Sequence, residues 1–551
     1  MKFIKIFIVC SLSIPFLHSC QKSLDYNEAT FYAEEALLNN PSLYKGLLTT
    51  IYSYLPTDFN GIDGAMRASA SDDAVHVWNL SAIKRFNDGS WSPLQPLDDQ
   101  WGYLYNGIRS SNVFLQKAAL QSFEELRYND GYQEMIKQYD NYPHEARFLR
   151  AFFYFELIKR YGDVPLITKP LSIQEANNVT RAPYHEIVDF IVSECDAIIP
   201  KLPLTYADLP NSETGRATRG AALALKARTL LYAASPLHNK TNELQKWISA
   251  ATAAKDLMNL QRYSLDASYK NVVNNINSTE LILETRQDFS NSFEVFNSPV
   301  GFQGGRTGTC PTQNLVDAYE MKETGMNIND PESGFLAEDP YVGRDPRFYE
   351  TILYNGSKWK NTELEIWRGG INGPPQELAT KTGYYLKKYL IEGISLNPVN
   401  PTSQRHTWAV FRFAEVLLNY AEAMNEVYGP DAVGQGDLNM TARQSVNLVR
   451  ARASMPGFPE NLTQAEFREK LRNERRVELA FEDNRFWDIR RWTIGNSTIN
   501  IYGVDVNRGN GTFSYSRKLV EKRVWEDKMY FYPISQREIY INKSLTQNLD
   551  W

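Results

Sequence analysis

The stretch EARFLRAFFYFELIKRYGDVP, residues 145–165, decides the fold class. Phe148, Phe152 and Phe155 recur at the i, i+4, i+7 spacing of one helix face. Gly162 follows the last apolar turn, and glycine is the residue that most often ends a helix. We therefore predict a buried helix that runs up to this glycine and packs against other helices through its aromatic face.

Apolar periodicity of the same kind marks further helices along the chain. The predicted helices are Tyr103–Leu120, Ala221–Ala234, Phe413–Val427 and Gln464–Phe481. The last of them follows Thr463-x-x-Glu466, the pattern of a capping box. Paired helices with alternating bulky and small residues are typical of tetratricopeptide-like hairpins. We therefore predict a mainly α fold, an interrupted superhelix of such hairpins with long loops and a few short strands.

Three long segments between the helices show no sustained period. Residues 54–100, 285–312 and 325–408 are rich in Gly, Pro, Asn, Asp, Trp and Tyr. Loops of this length in a folded domain usually carry function. Recognition is therefore expected on these segments rather than on the helices.

The first twenty residues have the pattern of an export signal. Lys2 and Lys5 precede an apolar stretch, residues 6–17, that is too short for a stable membrane span. The sequence Leu17-His18-Ser19-Cys20 then resembles a bacterial lipobox, in which the signal is removed before a cysteine that becomes lipidated. We predict a signal peptide over residues 1–19 and a lipid anchor on Cys20. The alternative is an ordinary secretory signal with a cysteine near its cleavage site.

Charge and cysteine content argue against two classes of protein, those that bind nucleic acid and those held together by a disulfide framework. The formal charge of the 551-residue chain is −6, and loss of the two lysines with residues 1–19 makes it −8, so nucleic acid is not expected as a partner. Cys195 and Cys310 are too few for a disulfide framework, although one bond between them is possible. Cys195 lies in the apolar, helix-like run Ile187–Ile199, which favours a buried free thiol.

Enzyme motifs are missing where they would be expected. The histidines beyond residue 19 show no metal-ligand spacing, and the chain contains no HExxH or CxxC. The segment Gly301–Gly308 is rich in glycine but lacks the Lys-Ser/Thr of a phosphate loop. We therefore expect no catalytic residues, no metal and no cofactor. A surface glycoside hydrolase stays an alternative, because its carboxylate pair is defined by spatial position and not by sequence spacing.

The irregular segment 54–100 carries the residue types that bind sugars. A sugar ring offers an apolar C–H face, which suits aromatic planes, and a rim of hydroxyls, which suits Asp, Asn, Arg and Gln. Asp72, Trp78, Asn79 and Trp91 combine both types on one loop. We predict ligand contacts from these four residues. For each tryptophan the alternative is a ring packed into the core.

Two further clusters in the irregular segments have a similar composition. Arg306 follows phenylalanines at positions 289, 293, 296 and 302. Tyr354, Trp359 and Trp367 form the other cluster, with Arg368 beside them. We predict ligand contacts at Arg306 and at the three aromatic residues.

Several motifs along the mature chain occur in the order and spacing of one family. They are WGYLYNGIRSSN at 101–112, the stretch at 145–165, RDPR at 344–347, FRFAEVLLNYAEA at 411–423, NLVRAR at 447–452, NERRVELAFE at 473–482, RFWD at 485–488 and YPI at 532–534. Together with Leu24-Asp25 near the lipid site and NLDW at 548–551, they resemble the SusD/RagB family of outer-membrane nutrient-binding lipoproteins.

The resemblance implies a fold, a function and a partner. It implies a tetratricopeptide-like SusD fold, with residues 20–270 as the amino-terminal region and 271–551 as the carboxy-terminal region. It implies a surface-exposed, lipid-anchored protein that binds a nutrient, most often a glycan, and delivers it to a SusC-like TonB-dependent transporter. The family's early loop often contacts the ligand, which favours Asp72, Trp78, Asn79 and Trp91. A peptide ligand, as in another branch of the family, and a tetratricopeptide-type assembly lipoprotein are the alternatives.

The NERRVELAFE motif is predicted to be structural rather than catalytic. Glu474, Arg475, Glu478 and Glu482 lie at i, i+3 and i+4 spacings, where ion pairs form along a helix. We therefore predict a salt-bridged helix here and not a pair of catalytic carboxylates.

Overall fold

The computed structural model describes residues 40–56, 59–207 and 213–551. The predicted signal peptide and the lipid anchor at Cys20 lie outside these residues. Within the described ranges, no helix has both the length and the apolar character that crossing a membrane requires.

Helices make up the scaffold, as the sequence predicts. In chain order they are α1 (Pro41–Tyr52), α2 (Lys84–Asp88), α3 (Trp101–Ala118), α4 (Tyr132–Tyr139), α5 (Tyr142–Tyr161), α6 (Ile173–Ala176), α7 (Tyr184–Ile198), α8 (Arg219–Ala234), α9 (Leu244–Asn259), α10 (Ser292–Asn297), α11 (Gln313–Ala318), α12 (Pro346–Thr351), α13 (Phe413–Tyr428), α14 (Ala442–Arg452), α15 (Gln464–Glu478), α16 (Asn484–Arg491) and α17 (Gln536–Ile541). Helix α3 packs on α5, α5 on α7, α7 on α8, α8 on α9 and α9 on α13, which in turn contacts α14 and α15. This succession of neighbours is the interrupted superhelix that the periodicity predicts.

The predicted helix ends are confirmed by their capping groups. Gly162, with φ 69°, ends α5, and Gly429, with φ 78°, ends α13. The Thr218 hydroxyl accepts a hydrogen bond from the Ala221 N–H at the start of α8. Thr463 and Glu466 form the predicted capping box of α15. Helix α15 is shorter than predicted: it ends at Glu478 rather than at Phe481.

The aromatic face of α5 forms the centre of the core. Phe148 and Phe152 have no exposed surface, and Phe155 is 1% exposed. Helix α3 approaches α5 at Gly107, where an added Cβ would lie 2.7 Å from the Phe153 ring. Close packing of this kind requires a residue without a side chain at the crossing.

Both remaining cysteines are free thiols, as predicted for Cys195. Cys195 and Cys310 are both free and buried. Burial raises the pKa of the Cys310 thiol to about 11 and raises that of Cys195 as well, so both stay protonated at neutral pH. The single disulfide that the sequence allowed is not formed.

The strands are short and pair two by two. They are β1 (Ala74–His76), β2 (Leu281–Arg286), β3 (Thr309–Pro311), β4 (Ile352–Leu353), β5 (Lys358–Trp359), β6 (Thr362–Glu363), β7 (Tyr385–Leu386), β8 (Thr407–Arg412), β9 (Asn500–Gly509) and β10 (Thr512–Lys522). All pairs are antiparallel: β1 with β3, β2 with β8, β4 with β7, β5 with β6 and β9 with β10. The pairs β1–β3, β2–β8 and β4–β7 join stretches that are far apart in sequence, whereas β5–β6 and β9–β10 are local hairpins.

The NERRVELAFE motif is structural, but its ion pairs differ from the predicted ones. Glu478, fully buried at the end of α15, accepts hydrogen bonds from Arg412 Nη1 at 2.7 Å and from Arg347 Nη1 at 2.9 Å. Arg452 also donates to it. The partners therefore come from β8, α12 and α14 rather than from the helix itself. Isolated buried charges are costly, so each guanidinium here depends on the carboxylate it contacts.

Acid is expected to destabilise the fold through these buried carboxylates. Although burial alone would raise it, the pKa of Glu422 falls to about 2 because Arg491 binds both carboxylate oxygens, at 2.6 and 2.7 Å. A carboxylate whose pKa is lowered in the folded state stabilises it above the unfolded pKa of about 4.3, and this contribution disappears as the pH falls towards the folded pKa. The urea midpoint is therefore expected to hold from about pH 7 to about pH 5 and to fall between about pH 4 and about pH 2. A midpoint that stays constant down to about pH 3 would contradict this assignment.

Candidate functional site

The pairing of β1 with β3 brings two predicted ligand residues together. His76 lies opposite Thr309, and the Val77 N–H donates to the Gly308 carbonyl at 2.8 Å. Just beyond the strands, Trp78 Nε1 donates to the carbonyl oxygen of Arg306 at 3.0 Å. This hydrogen bond fixes the indole against the glycine-rich segment that contains Arg306.

A mixed aromatic and polar surface forms around the half-buried Trp78 ring. The Phe296 ring lies 5.2 Å from it, tilted by 44°, and the exposed Arg306 guanidinium lies over it with Cζ 4.7 Å from the ring centroid. The exposed side chain of Asn79 accepts a hydrogen bond from Lys381 Nζ. We call Trp78, Asn79, Phe296, Arg306 and Lys381 the Trp78 platform.

A neutral histidine, His76, packs against the buried side of the Trp78 ring. His76 is fully buried and packs edge to face against Trp78, with ring centroids 5.2 Å apart. Burial, together with the charges of Lys84 and Lys381, lowers the pKa of His76 to about 4. The imidazole is therefore uncharged at neutral pH, and the positive charge of the platform comes from Arg306 and Lys381 alone.

Trp367 lies on a loop that braces the same glycine-rich segment. Asn372 Nδ2 donates to the Val300 carbonyl at 2.7 Å, which joins the Trp367 loop to the segment leading to Arg306. The half-buried Trp367 ring has the Arg508 guanidinium 5.4 Å from its centroid. Trp367 is thus accessible and structurally linked to the platform without touching Trp78.

Tyr354 belongs to a separate aromatic cluster. Its half-buried ring lies 4.4 Å from the Tyr341 ring and 5.2 Å from the Phe348 ring. Burial and neighbouring groups raise the pKa of Tyr354 to about 12, so its hydroxyl remains protonated. The side chain is therefore only partly accessible to a ligand.

Asp72 is a structural residue, and its predicted ligand contact is corrected. The side chain is buried, with its two oxygens 2.8 and 2.9 Å from Arg485 Nε and Nη2. Arg476 Nη2 lies 3.1 Å from the same carboxylate. Burial opposes ionisation, but these guanidinium groups hold the pKa of Asp72 below its ordinary value. Both oxygens contact arginines and the side chain is buried, so the carboxylate is not accessible to a sugar hydroxyl.

Trp91 and Trp359 are core residues, which corrects two further predictions. Trp91 is 2% exposed and packs on Phe86 and Trp551, with ring centroids 4.8 and 4.7 Å away. Trp359, at the end of β5, is 1% exposed. For both rings the structure shows the alternative of burial, which removes a large apolar surface from water.

Lys381 is the platform residue that the sequence did not reveal. It lies about 300 residues after Asn79 in an irregular segment, and no periodicity or motif surrounds it. Phe296 was visible in the second aromatic cluster, but nothing in its spacing singled it out from its neighbours. The non-local β1–β3 pairing brings the segment of Arg306 to Trp78, and Lys381 reaches Asn79 from the segment before β7.

Comparison with known proteins gives consistent similarities along nearly the whole described chain. A model of the SusD family matches residues 266–551, and a model described as starch-binding and associating with the outer membrane matches residues 36–231. A SusD-like protein of Formosa agariphila, P25, is 24% identical over 513 residues, which cover 86% of this chain and 87% of that protein.

Solved structures share the fold. A SusD-like protein from Bacteroides fragilis superposes with a TM-score of 0.79 at 27% identity, covering 94% of this chain and 99% of that one. A SusD-like carbohydrate-binding protein from the same organism gives a TM-score of 0.73 at 28% identity, covering 93% of this chain and all of the other.

Proposed function

We propose, on the premise that this chain belongs to the SusD family, that it binds an oligosaccharide at the outer membrane through the Trp78 platform. The family model spans more than half of the chain, and the model that matches its amino-terminal part is described as starch-binding and associating with the outer membrane, which supports the proposal. The observation that carries the proposal is the Trp78 ring, anchored by its own N–H and surrounded by Asn79, Arg306 and Lys381.

The chemistry of these groups matches the two surfaces of a sugar. The indole and Phe296 offer an apolar surface for ring C–H groups, and the amide, guanidinium and ammonium groups offer hydrogen bonds to hydroxyls. In this proposal a sugar ring replaces the Arg306 guanidinium over the indole. The guanidinium, which is exposed and carried on a glycine-rich segment, then turns to donate to the sugar rim.

The platform residues favour capture without chemical change. Glycoside hydrolysis needs two carboxyl groups on opposite sides of the scissile bond. None of the five platform residues is acidic, and the nearby Asp72 is already held by two arginines. Turnover of an oligosaccharide by the purified chain, lost on substitution of one carboxylate, would overturn this part of the proposal.

The proposal also includes a lipid anchor on the protein and delivery of its ligand to a transporter. Cys20 carries the lipid, and the protein hands its ligand to a SusC-like TonB-dependent transporter at the cell surface. Incorporation of labelled fatty acid into the chain, lost in Cys20→Ala, tests the anchor. Co-purification with a TonB-dependent transporter from detergent-solubilised outer membrane tests the partner, and its failure would remove the delivery step.

Binding to arrays of glycans and peptides identifies the ligand class. The purified chain is expected to be retained by one group of related glycans and not by peptides. Retention by peptides alone would replace the glycan with a protein fragment as the imported nutrient.

Trp78→Ala is expected to weaken binding to the glycan found on the array by about 30-fold, or about 2 kcal/mol, which is the range of an aromatic anchor at a binding site. Isothermal titration gives the affinity, and thermal unfolding gives the stability. The melting temperature is expected to change little, because the ring is only half-buried.

Tyr128→Ala is the matched control for this variant. Tyr128 is 83% exposed and has the Arg127 guanidinium 4.7 Å from its ring centroid, the same distance as in the Arg306–Trp78 pair. Its removal deletes an exposed aromatic–arginine pair far along the chain from the platform and is expected to leave affinity unchanged. Equal losses in the two variants would show that the platform is not the site.

A further inference from the structure

Apart from the Trp78 platform, an open cavity lies where the amino-terminal helices meet the end of the chain. Its volume is about 460 Å³, within the range of roughly 300–1,000 Å³ that is usual for small-molecule sites. Its wall comes from three stretches, residues 162–184, 237–240 and 493–550, and it shares no residue with the Trp78 platform. We call it the Tyr184–His238 cleft.

Two stacked rings form one side of the cleft. The Tyr184 and His238 rings are parallel to within 5°, with centroids 3.6 Å apart. The backbone holds both in place, since the Tyr184 N–H donates to Asp163 Oδ1 at 2.8 Å and the His238 N–H donates to the Ser235 carbonyl at 3.0 Å. The Phe531 ring, 5.6 Å from His238, closes the apolar side. The two rings and Phe531 therefore form a continuous aromatic wall.

The polar atoms of the two rings are left for a ligand. Within the described part of the chain, the Tyr184 hydroxyl and both ring nitrogens of His238 form no hydrogen bond. Both side chains are half-buried and line the cavity. A hydroxyl and an imidazole together offer donors and acceptors to a hydroxyl-rich molecule.

The formal charges around the cleft cancel, and two of its three cations, Arg181 and Lys528, are engaged. The lining contains three acidic and three basic side chains. Arg181 donates to the carbonyls of Asp163, Thr546 and Tyr161 at 2.8, 3.0 and 3.2 Å, and Lys528 pairs with Glu526 at 2.9 Å. Neither cation is free to hold an anion.

The imidazole adds no charge of its own. Burial, with the nearby charges of Lys246 and Lys240, lowers the pKa of His238 to about 3. The ring is therefore neutral at neutral pH, and the cleft as a whole suits an uncharged ligand.

We propose that the Tyr184–His238 cleft binds a neutral saccharide unit, independently of the Trp78 platform. The Phe531 ring supplies the apolar wall for C–H groups, and the Tyr184 hydroxyl and His238 nitrogens hydrogen-bond to sugar hydroxyls. This site goes beyond the proposed function, because it gives the protein a second place to hold carbohydrate.

The test is an NMR titration of the histidine ring C–H resonances in the isotope-labelled purified chain. His238→Gln identifies the resonance of His238 by its disappearance. Glucose, galactose, mannose, xylose and fucose are the neutral probes, and glucuronate is the anionic one. At least one neutral sugar is expected to shift the His238 resonance in a saturable way. Absence of a saturable shift with all five, or a shift with glucuronate alone, overturns the proposal.

Two variants separate a binding role from a structural one. Tyr184→Phe keeps the stacked ring and removes only the hydroxyl, and it is expected to weaken the effective neutral sugar by about three- to tenfold with no loss of thermal stability. An unchanged affinity would overturn the hydroxyl's role in the site. Trp78→Ala removes the platform, and the His238 titration is expected to persist in it. A titration that disappears with Trp78 would show that there is one site and not two.

Discussion

Glu478→Gln is expected to lower the free energy of unfolding by about 3–5 kcal/mol, the usual cost of breaking a buried ion pair from one side. The Glu478 carboxylate is fully buried and contacts Arg347, Arg412 and Arg452. Although burial alone would raise it, these three charges hold the pKa of Glu478 well below its ordinary value. Glutamine keeps the shape but removes the negative charge, so three buried guanidinium groups lose a shared counter-charge.

Glu469→Gln is the control for this variant on the same helix. The Glu469 side chain is 71% exposed and forms a single ion pair with Arg472 at 3.0 Å. Exposed pairs of this kind contribute about 0–1 kcal/mol, so this variant is expected to unfold almost as the parent does. Urea unfolding followed by circular dichroism gives both values. Similar values for the two variants would show that the buried network contributes no more than a surface pair.

Trp91→Ala is expected to cost about 3–5 kcal/mol of stability, the range for removing a large aromatic side chain from a core. The Trp91 ring contacts Phe86, Tyr532 and Trp551, with centroids 4.8, 5.1 and 4.7 Å away. Its buried N–H has no partner in the described structure, so the expected loss comes from packing alone. The resulting cavity cannot close fully, because the surrounding rings are themselves fixed by their neighbours.

The two loop tryptophans thus differ in what they are expected to change. Trp78→Ala is expected to lower affinity with little change in stability. Trp91→Ala is expected to lower stability with little change in affinity. Thermal unfolding and ligand titration of both variants measure the difference. If Trp91→Ala retained its stability and lost affinity, the ring would belong to the ligand site after all.

The helical half of the fold could be predicted because its determinants are local. The Phe148, Phe152 and Phe155 face, the Thr463 capping box and the glycines at 162 and 429 each specify structure within one or two turns. Their boundaries agree with the structure to within about three residues at most ends.

Of the five strand pairs in the described structure, β1–β3, β2–β8 and β4–β7 join distant segments. These three pairs and the ion pairs could not be predicted because they are non-local. β1 pairs with β3 across more than 230 residues, and β2 pairs with β8 across more than 120. The spacing of Glu474 and Glu478 correctly indicated a structural role, but their arginine partners lie on three other elements. Sequence spacing describes neighbours along one helix and carries no information about which distant element packs on it.

The residue types of the candidate site could be predicted from the sequence, but the individual residues that form it could not. Trp78, Asn79 and Arg306 meet in the structure, and Trp367 lies on the loop that braces them. Asp72, Trp91 and Trp359 have the same residue types on the same segments and are buried. Burial of a loop side chain depends on long-range packing, so residue type alone cannot separate the two groups.

The hydrogen bond from Trp78 Nε1 to the Arg306 carbonyl also bears on how ligand choice can change during evolution. Because the only donor of the indole is bonded to the backbone, the ring offers a ligand an apolar face and no hydrogen bond. In the proposed site, recognition of ligand hydroxyls then depends on Asn79, Arg306 and Lys381, whose side chains all lie outside the core. We therefore expect substitutions at these three positions to change which glycan is bound while having little effect on folding.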